Sequence, residues 1–242
     1  MSSHRAIAQQ IPDLPRWVEA RDLLLWEPCD IFGFQEQPLS LVIRDPATEA
    51  IFVIGRPTLS VVQAAVQQNV HGGSLIASKE HAAEFAPVLA AWARTRILFH
   101  TLPDTERLPT ARADQVRFLD PKTLDQRSLP TDLMQELLSA AAHSAIAATF
   151  VAQQPVSFCY AGAVTESLWD VAIDTVAEHR RHGYAALCAA HMIRHMQTQG
   201  KQAVWQALEN NPASWRLAQK LGFTLVDELV LFEPNEQITA DS

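Results

Sequence analysis

Val176-Ala177-Glu178-His179-Arg180-Arg181-His182-Gly183-Tyr184-Ala185-Ala186 decides how this chain is read. An apolar run, Trp169-Asp170-Val171-Ala172-Ile173-Asp174, comes directly before it. A helical pattern comes directly after, with Ala186, Ala189, Ala190, Ile193 and Met196 on one face. Strand, basic turn and helix in that order make an anion site. The first N–H groups of a helix have no intrahelical acceptor, and the helix dipole favours negative charge there. Small alanines on the inner face predict close packing against a sheet. Gly200 stops the helix, and residues 202–208 return as a strand.

Composition narrows which anion that is. Among 242 residues, 48% are hydrophobic, enough for a sizeable core. There are 19 basic and 27 acidic side chains, a net charge of -8. Nucleic acid is not expected, because binding its backbone needs a basic field. Cys29, Cys159 and Cys188 have no metal-ligand or CxxC spacing and are expected in the core. There is no apolar run of membrane-spanning length and no apolar segment behind Arg5 that would make a signal peptide. A cytoplasmic setting with no membrane partner is expected. There is neither a GxxxxGK[ST] nor a GxGxxG motif, which argues against a P-loop or dinucleotide site.

Before the basic turn, residues 11–27 predict a helix stopped by Pro28. Residues 39–43 and 50–54 predict a hairpin, 57–68 a helix, 74–77 a strand, 80–93 a second helix kinked at Pro87, and 96–102 a strand. His71-Gly72-Gly73 is expected as a turn. No catalytic constellation occurs in this half. The stretch 103–122 is polar and proline-punctuated, yet it contains Val116, Phe118 and Leu119. It predicts a boundary between two domains, 1–127 and 128–242.

In the second half, 128–132 start a helix, and 145–152, 156–164 and 168–176 predict an antiparallel three-stranded meander. Asn211 and Pro212 start a further helix that Gly222 ends. Residues 223–226 and 229–232 are expected as a pair of closing strands.

These residues carry a resemblance. Arg180-x-x-Gly183-x-Ala185 resembles the acyl-CoA pyrophosphate loop of the GNAT superfamily of N-acetyltransferases. The segment Asn211-Pro212-Ala213-Ser214-Trp215-Arg216-Leu217-Ala218-Gln219-Lys220-Leu221-Gly222-Phe223 resembles a second segment of that family. The resemblance covers roughly residues 128–235. It implies an α/β (α+β) fold: a mixed β-sheet, splayed after the third meander strand and flanked by helices, preceded here by a smaller α/β domain.

It further implies a direct N-acetyltransferase using acetyl-CoA as co-substrate, with no metal and with a small-molecule or peptide amine as acceptor. Arg180, Arg181, His182, Gly183, Tyr184, Ala185 and Ala186 would hold the pyrophosphate, and Asn211 would touch the CoA arm. The backbone N–H of Val176 would polarise the thioester carbonyl. Glu166 in the meander turn, then Asp174 on the strand, would take the amine proton. Where the family often has a tyrosine acid, this chain has Ala218, so a silent acyl-CoA-binding regulatory module is the alternative. Dimerisation and the acceptor's identity stay open.

Overall fold

The computed structural model describes residues 3–26, 28–70, 72–85, 87–112, 114–124 and 129–235. His71 and the expected 127/128 boundary lie outside the described residues. The chain divides into two compact units. One runs to Phe99 and adds Ala207–Pro212 and the chain from Val226; the other is His100–Gln206 with Ala213–Leu225.

The first unit begins with α1 (His4–Ala8) and α2 (Val18–Trp26). Arg21 is buried and ties them, donating to the carbonyls of Ala8 and Ile11. Three antiparallel strands follow: β1 (Asp30–Gln35), β2 (Ser40–Arg44) and β3 (Ile51–Ile54). The hairpin of β2 and β3 is the expected one. β1 was not expected, because Gly33 and the polar ends of Asp30-Ile31-Phe32-Gly33-Phe34-Gln35 blur its alternation. A helix, α3 (Leu59–Val66), leads to β4 (Leu75–Ser78), which runs parallel to β3.

The second expected helix does not form. Residues 82–85 make one 3₁₀ turn, and Trp92 already opens β5 (Trp92–Thr101). Pro87 supplies no N–H to the preceding turn and disfavours α-geometry in its predecessor, so the helix fails instead of kinking. The closing strands also differ from expectation: β11 (Thr224–Pro234) is continuous and pairs with β4 from Leu229↔Ser78 to Phe232↔Leu75. The intervening Val226-Asp227-Glu228 has no turn former. Ion pairs hold it extended, Arg16 to Asp227 and Lys79 to Glu228 at 2.6 Å. The core joins Val42, Ile51, Val62, Leu75 and Phe85 to Phe232.

The second unit contains the stretch expected as a boundary. There Val116, Phe118 and Leu119 belong to a strand, β6 (Val116–Leu119). It pairs with β7 (Ile146–Val151), which continues antiparallel to β8 (Gln154–Val164) and β9 (Leu168–Thr175). The meander is therefore as expected. One face carries α4 (Thr131–Ala140), packed with Phe158, Tyr160, Ala172 and Val176. Cys188 on α5 (Tyr184–Thr198) donates to the Ala147 carbonyl of β7. α5 ends in a Schellman motif: Gly200 at φ 74°, with Gly200 N–H to Gln197 and Lys201 N–H to Met196. β10 (Gln202–Leu208) is parallel to β9, and α6 (Pro212–Lys220) follows. Among the described residues no helix is long and apolar enough to cross a membrane.

Candidate active site

The basic turn occupies the end of β9. A 3₁₀ turn, Ala177–His179, is followed by Arg181 at φ 65° and Gly183 at φ 83°, and Gly183 caps α5. Left-handed geometry at Gly183 explains the glycine locally. A Cβ at Gly183 would meet no atom within 4 Å, so it would project into open space in front of the helix. Leu187 N–H makes the first bond back, to the Gly183 carbonyl. Among the described residues, the six N–H groups from Arg181 to Ala186 donate to no protein acceptor. Arg180, Arg181 and His182 are exposed around them. His182 stacks on Tyr184 at 5.6 Å, and Arg180 Nε donates to the Thr175 carbonyl at 3.1 Å. Six free donors, two guanidinium groups and a helix N-terminus fit a diphosphate; a Cβ at Gly183 would intrude on its volume.

β9 and β10 separate next to this turn. They pair from Gln202↔Leu168 to Val204↔Asp170, and among the described residues no later β9 position pairs with β10. Asp170 stands where the strands part. Its Oδ1 accepts the Gln206 N–H at 3.3 Å, replacing the next ladder bond, and the residue is only 6% exposed. Opposite it, β8 carries one extra residue at Gly162, between Ala161↔Val171 and Ala163↔Asp170. A bulge there adds twist and turns β9 away from a flat sheet. The Asp170 carboxylate is thus structural at the split.

Strand phase decides which N–H groups face the split. Val176 N–H donates to the Val156 carbonyl at 3.0 Å. Antiparallel pairs alternate, so positions 174 and 172 also direct their main chain toward β8. Val171, Ile173 and Thr175 direct theirs the other way. The Arg180 bond to the Thr175 carbonyl and the Gln202 bond to the Ser167 carbonyl at 2.8 Å lie on that side. This corrects the role expected for Val176, whose N–H is engaged. The sequence could not reveal the phase, because it depends on the β8 register.

Residues 147–232 match the family model described as GNAT acetyltransferase. Residues 147–232 form a GNAT acetyltransferase domain. Such a domain supports acyl transfer from an acyl-CoA. The fold is also that of solved GNAT structures. A GCN5-related N-acetyltransferase-like protein from Streptococcus suis is 18% identical, with TM-score 0.65, covering 96% of this chain and 98% of its own. An acetyltransferase of the GNAT family from Colwellia psychrerythraea is 12% identical, with TM-score 0.61, covering 96% and 94%. A tandem GNAT protein from the clavulanic acid biosynthesis pathway is 14% identical, with TM-score 0.56, covering 96% and 93%. No curated protein matches the sequence.

Within the GNAT domain the acid–base candidates are spread out. Glu166 is exposed in the β8–β9 turn, and its carbonyl accepts from Lys201. Eight residues of β9 separate it from the basic turn, roughly 25 Å of strand. Asp174 is half-buried near the turn and accepts the Tyr160 hydroxyl at 3.0 Å. Burial holds its carboxyl above the ordinary value, with Tyr160 and Arg180 pulling the other way and Glu136 adding to the rise. Tyr160 is buried on the α4 face, and desolvation followed by its Glu136 hydrogen bond pushes its hydroxyl far up, so it stays a donor. The Glu136–Tyr160–Asp174 group was missed: its members lie on α4, β8 and β9, and no local pattern links them.

Asn211 is exposed immediately before Pro212 of α6. Ala218, at the family tyrosine position, is fully buried. Trp205 packs edge-on to Phe223 with its indole N–H on Ser214 at 3.0 Å. His191 and His195 lie against Phe118 at 5.0 and 4.5 Å, and among the described residues no group of three or more His, Cys, Asp or Glu could hold a metal. The three cysteines are buried; burial pushes Cys29 up to about 11 and Cys188 up to about 12, so neither is a thiolate at neutral pH.

Proposed function

We propose that the chain transfers an acetyl group from acetyl-CoA directly to a primary amine. The observation that carries this reading is the run of six undonated N–H groups from Arg181 to Ala186 beside the split of β9 from β10. The run holds the diphosphate, and the outward main chain of Val171, Ile173 and Thr175 pairs with the pantetheine arm. Ile173 N–H, next along the strand from Asp174, is the donor for the developing thioester oxyanion in place of Val176. Asp174 accepts the amine proton. Glu166 is too far along β9 to share that task with the turn, and Asp170 is engaged by Gln206.

Incubating the protein with acetyl-CoA and a panel of primary amines, and following release of free CoA thiol, tests the reading. Turnover with at least one amine is expected. The buried Ala218 in place of a tyrosine acid favours one other reading, a silent acyl-CoA-binding module. Binding without turnover across the panel would select it.

The raised Asp174 carboxyl sets the sign of a pH prediction. A base must be deprotonated, so kcat/KM rises with pH to a plateau, and its limb lies above that of an exposed aspartate. The Tyr160 hydrogen bond favours the ionised form. Tyr160→Phe should therefore move the limb further up, while Asp174→Asn should lower kcat by 10²-fold or more, on the scale of about 10²–10⁴ for general bases. An unmoved limb in Tyr160→Phe would remove Asp174 from the mechanism.

A further inference from the structure

The two units repeat one order of elements. In the first, α2 precedes the antiparallel meander β1–β2–β3, then α3 crosses over to β4, parallel to β3. In the second, α4 precedes the antiparallel β7–β8–β9, then α5 crosses over to β10, parallel to β9. In chain order the 3₁₀ turn at Ala82–Phe85 and β5 follow β4 as α6 and β11 follow β10. The position matching the pyrophosphate turn is the crossover from β3 to α3, residues 55–58.

We infer that the first unit is a repeat of the acyl-CoA-binding topology with its crossover closed, so that the chain binds one acyl-CoA and not two. The inference rests on the coenzyme reading of the Gly183 turn. Both crossovers contain a glycine at positive φ, Gly55 at 69° and Gly183 at 83°. Their surroundings are opposite. A Cβ on Gly55 would run into the Leu39 carbonyl oxygen, so backbone fills the space. Nothing lies within 4 Å of a Cβ on Gly183.

The run of N–H donors is also interrupted by a proline. In the first crossover Pro57 has no N–H, and Val61 and Val62 both donate to the Thr58 carbonyl, at 3.0 and 3.3 Å. The connection has four residues against eight, and α3 has 8 residues against 15 in α5. Its one basic residue, Arg56, points its guanidinium at His81 Nε2, 2.6 Å away, and at Glu84, 3.8 Å away. What remains of the repeat is its sheet, with β4 as the partner of β11.

Titration calorimetry with coenzyme A on the full chain, supported by native mass spectrometry, tests this. One coenzyme per chain is expected. Gly183→Glu and, as a second variant on the same turn, the pair Arg180→Glu with Arg181→Glu should each reduce that to none, with unchanged circular dichroism. Arg56→Ala should retain one site at wild-type affinity. Two sites per chain, one site surviving in Gly183→Glu, or loss of binding in Arg56→Ala would each overturn the inference. No binding by the wild type would instead bring down the coenzyme reading on which it rests.

Discussion

Replacing Gly183 by glutamate should weaken coenzyme A binding at least 100-fold, about 2.7 kcal/mol, with the fold kept. Three effects act together. The side chain would occupy the space in front of α5, where no protein atom lies within 4 Å of a Cβ. Its carboxylate would compete for the N–H groups from Arg181 to Ala186, which donate to nothing else among the described residues. It would also place a negative charge where a diphosphate must approach. The cost to stability is confined to left-handed geometry, φ 83°, roughly 1–2 kcal/mol for a residue with a Cβ. Arg181 already adopts φ 65° two residues earlier, so the turn tolerates such a side chain. Gly183→Ala separates the contributions: it carries the same backbone cost without the carboxylate and should bind more tightly than Gly183→Glu. Calorimetry and thermal melting on the same samples decide it. Equal affinity in wild type and Gly183→Glu would mean the turn does not hold the coenzyme.

Much of this site was legible because its signals are local. Arg180, Gly183 and the alanine face of α5 lie within 17 residues of one another, counting from Arg180 to Met196, and each acts through its immediate neighbours. What was not legible depends on register and on distant segments. Val176 looked available as a donor until the β8 register put its N–H on Val156. The partner of Asp170 is Gln206, 36 residues later, beyond any local pattern. Tyr160 and Asp174 meet only because β8 and β9 pair. In the first half the errors have a different source. Glu80 to Ala93 has helix-favouring composition, and a single proline with Trp92-Ala93-Arg94 entering a strand overrides it. The expected pair of closing strands is one strand, because Asp227 and Glu228 between them are neutralised by Arg16, Lys79 and Arg96.

Phe232→Ala should destabilise the protein by about 3–5 kcal/mol, the usual range for a fully buried phenylalanine. Its ring is wholly buried among Val42, Ile51, Leu75 and Phe85, and Arg94 lies over it at 5.3 Å. Its strand position faces Leu75 of β4. The residue lies at the far end of the sequence from these neighbours, so the first unit cannot complete its core until β11 has been made. Urea unfolding followed by tryptophan fluorescence measures the loss. Two controls bracket it. Val42→Ala, in the same core, should lose less because it removes fewer buried atoms. Phe118→Ala, on β6 in the second unit and 43% exposed, should cost well under the Phe232 value. If Phe232→Ala cost less than 1 kcal/mol, β11 would not be part of the first unit's core. A full loss would instead mean that residues 1–127, cut at the boundary the sequence suggests, lack a strand of their own sheet.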